Sequence, residues 1–354
     1  MRVLPLSLAT VLVLSACSTG TGSSSQGGSN ANIAEFAAQC AAGYNGPLKA
    51  LPTGYPEPSK QNLKIGFLQP LGANETVGFL QKFVEKHVVA LGGTPIGYDA
   101  QGQPDKQVTQ MEQLLNQGVD AIIVFPLDAS ALNPVIAKAK AAHVPVIGME
   151  VDADGGTNIG GFTTQVVEGR DQHAYLHACV MSKLHPGAEV AVIGSAAPVP
   201  SLAAYVTRVK YWAKTLGLNV VQTASNQTDD VAGGEKAASG ILPNRPGIQG
   251  IMAYNDPSAI GAYTAARTQS RKFTIFGVNG GSDAFAAIKD GKEDLSLQHP
   301  LDEWSTQLVA AAYDAVQQPG TVLPKTTFPA ADKVLTAGSL GQAMPWKQQL
   351  DGAR

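Results

Sequence analysis

The segment from Tyr98 to Met149 alternates between two spacings of apolar residues. From Pro104 to Asn116 the apolar positions recur three and four residues apart, which places them on one face of an α-helix. From Asp120 to Phe125 they form a continuous run, rich in β-branched residues and too short for a helix. A strand that is apolar on both faces is typical of a parallel sheet covered by helices on both sides.

The same alternation continues along the rest of the chain. A second helix begins at Asp128 and Val144–Ile147 is the next buried strand, so two βαβ units predict a doubly wound α/β fold. The order restarts at Thr164 with a predicted helix over Gln165–Leu184. We therefore expect two similar parallel-sheet lobes, with the cleft between them as the default binding site. The other predicted strands are Leu63–Leu68, Thr94–Tyr98, Asn158–Phe162, Glu189–Ile193, Asn219–Thr223, Gly250–Ala253, Phe273–Val278 and Asp294–Gln298.

The N-terminus has the pattern of a targeting segment. Arg2 precedes an apolar run, Val3–Leu14, that is too short to span a bilayer. The run ends in Leu-Ser-Ala-Cys, which resembles a bacterial lipobox in which Cys17 is lipid-modified and becomes the first residue of the mature chain. An ordinary secretory signal, with Cys17 incidental, is the alternative. Ser18–Asn30 is nearly all Ser, Thr and Gly and is expected to be a flexible tether.

Beyond the tether we expect a short helix, Asn32–Tyr44, and a Pro-rich extended arm up to residue 61. No later apolar run is long enough for a transmembrane helix. The sequence thus predicts a soluble body outside the cytoplasm, held to the membrane by a lipid.

Composition narrows the class of protein. Hydrophobic residues make up 44% of the 354 residues and charged residues 15%, which indicates a globular chain long enough for two domains. The net charge is −3, with Lys and Arg spread singly, whereas phosphate binding needs clustered positive charge. We therefore expect no nucleic-acid partner.

The sequence contains no motif of a known catalytic centre: no Gly-x-Ser-x-Gly, no Walker loop and no Rossmann fingerprint. His173 and His177 are four apart on a predicted helix, a spacing that can hold zinc. Without an adjacent Glu or a third ligand, we favour a solvated helix face, and we predict no metal, no cofactor and no enzyme. Cys40 and Cys179 either pair outside the cytoplasm or remain two buried free thiols.

Five short motifs occur in order along the body of the chain. The motifs span Asp99–Gln107, Gln117–Val124, Tyr254–Ala262, Gly277–Gly280 and Ile288–Lys292. With them the chain, from about Leu63 to its end, resembles the periplasmic sugar-binding proteins of ABC importers, in the ribose-binding branch of the type I fold.

The resemblance implies two lobes joined by three crossovers, near Thr163, Gln298 and Pro329. After a signal segment (1–17) and a tether and arm (18–61), the implied division is 62–162 with 299–328 as lobe 1 and 163–298 with 329–354 as lobe 2.

The resemblance also implies a ligand site at the rims of the lobes. Arg208 stands at the family's arginine, whose planar fork of donors suits paired ligand oxygens. Gln298 matches the glutamine at the hinge, and Asp256 is equally compatible with a helix N-cap. The candidate ligand residues are Asn74, Glu150, Thr164, Gln165, Arg208, Asn255, Asp256, Asn279 and Gln298.

The chain departs from the family where the family places aromatic walls. After Asn74 the family has Pro and two Phe, whereas Glu75–Val77 stands here. Aromatic walls bury the apolar face of a sugar ring, so their loss argues against a standard pyranose clamp. Tyr205 and Tyr254 are candidate replacements, and Trp212 is expected in the core.

The departures favour a small polyhydroxylated ligand: a pentose, an acyclic polyol or a modified sugar. The resemblance implies a monomeric solute-binding lipoprotein that closes on this ligand and delivers it to an ABC permease. The alternative is a receptor that presents its ligand to a membrane sensor kinase or takes up a signalling molecule.

Overall fold

A computed structural model describes residues 26–46, 62–152, 159–197, 199–317, 323–327 and 332–352. The signal segment with Cys17, the Pro-rich arm and the predicted crossover at Pro329 lie outside the described residues. The predicted tether lies partly outside them. Its last residues, from Gln26, begin helix α1 (Gln26–Gly43), so a coil up to Asn30 is wrong, whereas the helix expected over Asn32–Tyr44 is confirmed.

Parallel strands alternate with helices through most of the described chain. The strands are β1 (Lys64–Gln69), β2 (Thr94–Asp99), β3 (Ala121–Val124), β4 (Val146–Met149), β5 (Thr164–Val166), β6 (Glu189–Ser195), β7 (Asn219–Asn226), β8 (Gly250–Ala253), β9 (Thr274–Phe276), β10 (Ser296–Gln298), β11 (Thr326–Thr327) and β12 (Lys333–Leu335). The α-helices after α1 are α2 (Glu75–Ala90), α3 (Pro104–Asn116), α4 (Asn133–Ala141), α5 (Arg170–Leu184), α6 (Pro200–Thr215), α7 (Val231–Ile241), α8 (Asp256–Thr268), α9 (Ser282–Lys289), α10 (Leu301–Gln317) and α11 (Trp346–Leu350). Short 3-10 helices cover Leu242–Asn244 and Leu340–Gln342.

Lobe 1 is built on a six-stranded parallel sheet in the order β11-β5-β4-β3-β1-β2. Apolar residues cover both of its faces: one core lies under α2 and α10, and a second lies under α3 and α4. Because both faces are buried, β3 and β4 have no exposed residue, as the continuous apolar runs predict.

Lobe 2 is built on a four-stranded parallel sheet in the order β7-β6-β8-β9. Its two cores again lie on opposite faces, one with α5 and α6 and the other with α7 and α8. Parallel bridges from Phe276 to Leu295 and from Asn279 to Gln298 attach the β10 segment, which pairs antiparallel with β12. The doubly wound α/β class and the two-lobe plan are therefore confirmed.

The first crossover lies later than the sequence predicts. The described part of Asn158–Phe162 is a turn, in which Phe162 donates its backbone N–H to Ile159, so the predicted strand is wrong. Ile159 and Phe162 are buried because they pack on the sheet. The strand in this part of the chain is instead β5, which pairs with β4. Helix α5 therefore begins only at Arg170, whereas the sequence predicts a helix from Gln165.

The two ends of the described chain attach to different lobes. Cys40 in α1 and Cys179 in α5 form a disulfide, so of the two states left open for these thiols the structure has the paired one. At the other end, Trp346 in α11 is buried in the lobe 1 core and donates its indole N–H to the His299 carbonyl. The C-terminal helix therefore belongs with lobe 1, whereas the sequence assigns the whole of 329–354 to lobe 2.

No helix among the described residues has both the length and the apolar character that crossing a membrane requires.

Candidate functional site

A cavity of about 360 Å³ lies between the carboxyl ends of the two sheets. This is where parallel α/β sheets bind ligands, because the loops after the strands leave a crevice there. Lobe 1 contributes Pro70, Leu71, Asn74, Thr76, Val77, Leu80, Gly102, Pro104, Phe125 and Leu127, and α10 contributes Trp304. Lobe 2 contributes Ser195, Ala197, Val199, Leu202, Asp229, Tyr254, Asn255 and Asn279, and the crossovers bring Glu168, Arg170 and His299.

Asp229 is the centre of the polar wall of this cavity. Its carboxylate accepts hydrogen bonds from Asn74 Nδ2 at 2.9 Å, from Asn255 Nδ2 at 2.7 Å and from the Tyr254 hydroxyl. Its backbone has φ +58°, the left-handed region, in which Asp is one of the few tolerated side chains. Burial and the neighbouring carboxylate raise the pKa of Tyr254, so the phenol remains a donor.

Asn74 and Asn255 hold their positions because each also caps a helix. Asn74 Oδ1 accepts from the Val77 N–H at the start of α2, and Asn255 Oδ1 accepts from the Ser258 N–H at the start of α8. Each side chain thus satisfies a helix end with its oxygen and points its amide nitrogen at Asp229. The sequence missed Asp229; its only local signal is a second acid beside Asp230, the N-cap of α7.

Among the described residues, two hydrogen bonds join the lobes beside the cavity, from Asn74 and Glu75 at the start of α2, and we call this edge of the cleft its mouth. One is the contact from Asn74 in lobe 1 to Asp229 in lobe 2. In the other, Glu75 Oε2 accepts from the backbone N–H of Ser282 at 3.0 Å. The lobes are therefore in direct contact at the mouth as well as at the crossovers.

The floor of the cavity is a ring of ion pairs built from all three crossovers. Glu168 lies on the first, His299 on the second and Asp332 on the third, while His173 comes from α5. His299 Nε2 lies 2.9 Å from Glu168 Oε1, and His299 Nδ1 lies 2.9 Å from Asp332 Oδ2. His173 closes the ring, with Nε2 2.7 Å from Asp332 Oδ2 and Nδ1 3.4 Å from Glu168 Oε1.

Opposite charges within this ring shift the pKa values of Glu168, His299 and Asp332. Both nitrogens of each imidazole face a carboxylate oxygen, and for His299 this arrangement suits an imidazolium. Burial alone would lower the pKa of His299, but Glu168 and Asp332 outweigh it and raise the pKa to about 10. Burial opposes ionisation of the two acids, yet the cations beside them hold the pKa of Glu168 and of Asp332 below the usual range.

A second buried pair adjoins the ring. Arg170 lines the cavity, with Nη2 2.6 Å from Glu168 Oε2 and Nε 3.9 Å from Glu150 Oε2. Glu150 accepts from the Glu168 backbone N–H, and burial, followed by repulsion from Glu168, raises the pKa of Glu150 to about 7. The predicted residue Glu150 therefore lies beneath the floor rather than in the cavity lining.

Glu168, His173, His299 and Asp332 present donor atoms within 4.8 Å of one another, a set of the kind that can hold a metal ion. Ion pairing within the ring accounts for their proximity without one. The expectation of a solvated face for His173 and His177 is wrong, because both side chains are fully buried. His177 lies between the Tyr205 hydroxyl, 2.8 Å away, and the Gly277 carbonyl, 3.1 Å away.

Three of the predicted ligand residues meet in the cavity: Asn74, Asn255 and Asn279. Asn279 Oδ1 lies 3.1 Å from His299 Nε2, which links the polar wall to the floor. Of the suggested replacement aromatics, Tyr254 lines the cavity and Tyr205 is buried in the lobe 2 core.

Arg208 is not among the described residues that line the cavity. It lies on α6, 37% exposed, with Nε 3.7 Å from Asp171 Oδ1. Leu202, in the first turn of the same helix, does line the cavity. Arg208 comes six residues later, about 9 Å further along the helix axis and away from the strand ends. The sequence missed Arg170, which brings a guanidinium to the site instead.

The remaining predicted residues support the backbone around the site. Asp256 is fully buried; it accepts from the Gly280 N–H at 2.8 Å and from the Ser296 hydroxyl, and Asn255 rather than Asp256 is the N-cap. Gln298 Nε2 donates to the carbonyls of Gly280 and Met344.

Thr164 and Gln165 hold β5 to its neighbours. The Thr164 hydroxyl donates to the Pro324 carbonyl, and Gln165 Nε2 donates to Thr326 Oγ1 at 3.0 Å. Both side chains are buried within lobe 1 and are not among the described residues of the cavity lining.

Two lobes, three crossovers and a polar-walled cavity at the strand ends define a solute-binding protein of the clamshell type. Residues 65–320 match the family described as "Periplasmic binding protein domain", and the chain belongs to that family. It is a binding protein and not an enzyme.

Known relatives agree with this class. The chain is 30% identical over 236 residues to the ribose import binding protein of Bacillus subtilis, covering 66% of this chain and 75% of that protein. It is 27% identical over 235 residues to a xylitol-binding protein of Mycolicibacterium smegmatis, covering 62% of this chain and 65% of that protein. A solute-binding protein from Actinobacillus succinogenes, solved with bound D-allose, superposes with a TM-score of 0.71 at 21% identity, covering 80% of this chain and all of that one. These matches confirm the resemblance to the ribose-binding branch of the type I fold.

Proposed function

We propose that this chain is an extracytoplasmic solute-binding protein that captures a small sugar, polyol or sugar derivative between its lobes and delivers it to an ABC import permease. The observation that carries the proposal is the Asp229 cluster, in which donors from both lobes converge on one carboxylate at a cavity of about 360 Å³. The ribose- and xylitol-binding names of its relatives support this ligand class.

The mechanism follows from a site that two lobes share. A ligand that contacts both walls binds the closed form better than the open form, and it shifts the equilibrium by that difference in affinity. Asn74 and Glu75 form the bridges across the mouth, so closure removes the ligand from water. The permease then meets a closed surface only when the site is filled.

Calorimetric titration with D-ribose, D-allose, L-arabinose, xylitol and myo-inositol tests the proposal. We expect at least one of these compounds to bind. Asp229→Asn should weaken that binding at least tenfold, because hydrogen bonds to a carboxylate contribute about 1.5–3 kcal/mol. Arg208→Ala, outside the cavity lining, is the control and should bind within twofold of wild type. Equal loss in both variants, or no binding of any hydroxyl-rich compound, would contradict the proposal.

We also propose that Cys17 carries the lipid. The support is the Leu-Ser-Ala-Cys sequence at residues 14–17, followed by a polar, Gly- and Ser-rich stretch. Labelled palmitate should be incorporated into the wild-type protein and not into Cys17→Ser, which should also leave the membrane fraction. A wild-type chain that takes up no label would leave an ordinary secretory signal as the explanation.

A further inference from the structure

The two walls of the cavity differ in polarity. Among the described residues that follow β1, β2 and β3 and line the cavity, only Asn74 and Thr76 carry polar side chains. The rest of that wall is hydrocarbon, and Trp304 from α10 continues it. The hydrocarbon side chains are Pro70, Leu71, Val77, Leu80, Pro104, Phe125 and Leu127.

Asn74 is already engaged at both ends of its amide, which leaves one lone pair and one N–H for a ligand. Its oxygen caps α2 and its nitrogen donates to Asp229. Glu75, the next polar residue, reaches across the mouth to the Ser282 N–H. On the lobe 1 side the described side chains therefore offer a ligand the Thr76 hydroxyl and the remaining N–H and lone pair of Asn74.

The lobe 2 wall is more polar, although Ala197, Val199 and Leu202 also line the cavity from this side. Ser195, Asp229, Tyr254, Asn255 and Asn279 all line the cavity from this side. The floor adds Glu168, Arg170 and His299, all buried. Hydroxyl groups that face lobe 2 and the floor therefore find both donors and acceptors.

An unsubstituted sugar carries hydroxyls around its whole ring, and those turned toward lobe 1 beyond the reach of Asn74 and Thr76 would be buried without a side-chain partner. Each such loss costs roughly tenfold in affinity or more, whereas a hydrocarbon group in the same place gains roughly fourfold per buried CH₂. The space suits such a group: a cavity on the order of 150 Å³ holds a benzene ring, and this one measures about 360 Å³.

We propose that the cleft prefers an amphipathic ligand, a glycoside with a small alkyl or aryl group. Its hydrocarbon group lies against Leu71, Val77 and Phe125, and its sugar hydroxyls face the Asp229 cluster. This inference rests on the proposed function and names the substrate class of the same site.

The test compares D-ribose and D-allose with their methyl and phenyl glycosides by calorimetric titration. We expect the phenyl glycoside of at least one sugar to bind tenfold or more tightly than the free sugar. A methyl glycoside should fall between the two, because it buries less hydrocarbon.

A matched pair of variants on one helix locates the effect. Val77 on α2 is 8% exposed and lines the cavity, whereas Val89 on the same helix is 60% exposed. Val77→Thr adds a hydroxyl to the apolar wall at nearly constant size and should reduce the advantage of the phenyl glycoside at least threefold. Val89→Thr should leave it unchanged.

The outcomes separate the inference from the function beneath it. The inference fails if free sugars bind as tightly as their glycosides, or if Val77→Thr leaves the advantage of the phenyl glycoside unchanged. Neither result contradicts the proposed function, the capture of a sugar. If neither free sugars nor glycosides bind, both the inference and the proposed function fail.

Discussion

Asp332→Asn should lower the free energy of unfolding, because it removes one carboxylate from the ion-pair ring at the crossovers. The Asp332 side chain is 4% exposed and is the shared partner of His173 and His299, at 2.7 and 2.9 Å. An amide cannot balance the buried His299 imidazolium, and its NH₂ group points a donor at a donor. Asp and Asn side chains have nearly the same shape and volume, so the loss of stability measures the missing charge rather than a change in packing.

The expected magnitude comes from the burial of the ring. Removing one partner of a buried pair leaves an uncompensated charge in a site closed to water, which costs about 3–5 kcal/mol. Asp351→Asn is the matched control: Asp351 is 55% exposed and pairs with Lys347 at 2.7 Å. An exposed pair of this kind contributes about 0–1 kcal/mol. Urea denaturation of the three proteins at pH 6 measures both differences.

The pH dependence gives an independent check with a definite sign. The folded pKa of His299 is about 10, above its ordinary value of 6.5, so its contribution is complete below about pH 6.5 and is lost as the pH rises toward 10. The folded pKa values of Glu168 and Asp332 are lowered, so their contribution is present above their ordinary values and is lost as the pH falls. The penalty of Asp332→Asn should therefore be larger at pH 6 than at pH 10.

Two results would refute this reasoning. A free energy of unfolding for Asp332→Asn within about 1 kcal/mol of wild type at pH 6 would mean that the ring is not a buried ion pair. An equal difference at pH 6 and pH 10 would mean that the charge on His299 does not carry the effect.

Two further predictions concern stability. The Cys40–Cys179 bond spans 139 residues, so its loss should lower the free energy of unfolding by up to about 5 kcal/mol, the entropy of closing a loop of that length. A reductant should therefore lower the melting temperature of wild type and not that of the Cys40→Ser, Cys179→Ser double variant. Equal melting temperatures of wild type with and without reductant would contradict this. Burial, followed by Asp283, raises the pKa of Asp256 from 3.8 to about 8, so the folded state holds an extra proton and stability should fall as the pH rises from about 4 to 8. Asp256→Asn keeps an acceptor for the Gly280 N–H and should make the free energy of unfolding depend less steeply on pH, as measured by urea titrations. An unchanged pH dependence would show that Asp256 is not its cause.

Local patterns in the sequence were sufficient for most of the fold. Apolar runs identified buried strands such as Ala121–Val124, because a strand covered on both faces needs no polar alternation. Spacings of three and four identified α3, and Gly118, with φ +67°, follows it where a helix end needs a left-handed residue. The failures came where packing rather than pattern decides: Ile159 and Phe162 are apolar like a strand but pack on the sheet from a turn.

The site depended on distances that no local pattern contains. Asn74 and Asp229 are 155 residues apart in the chain, and only the meeting of the lobes makes them neighbours. Arg208 has the right chemistry, but the direction of α6 carries it away from the strand ends, whereas Arg170 enters the cavity from the crossover after β5.

The sequence by itself therefore determined the alternation of helix and strand, the two-lobe plan and the class of binding protein, because these follow from periodicity and from short motifs in order. The tertiary structure alone decided the ion-pair ring and the unequal polarity of the two cavity walls. The physical reason is that charge pairing and cavity shape act through space, over a few ångströms, between segments that the chain keeps far apart.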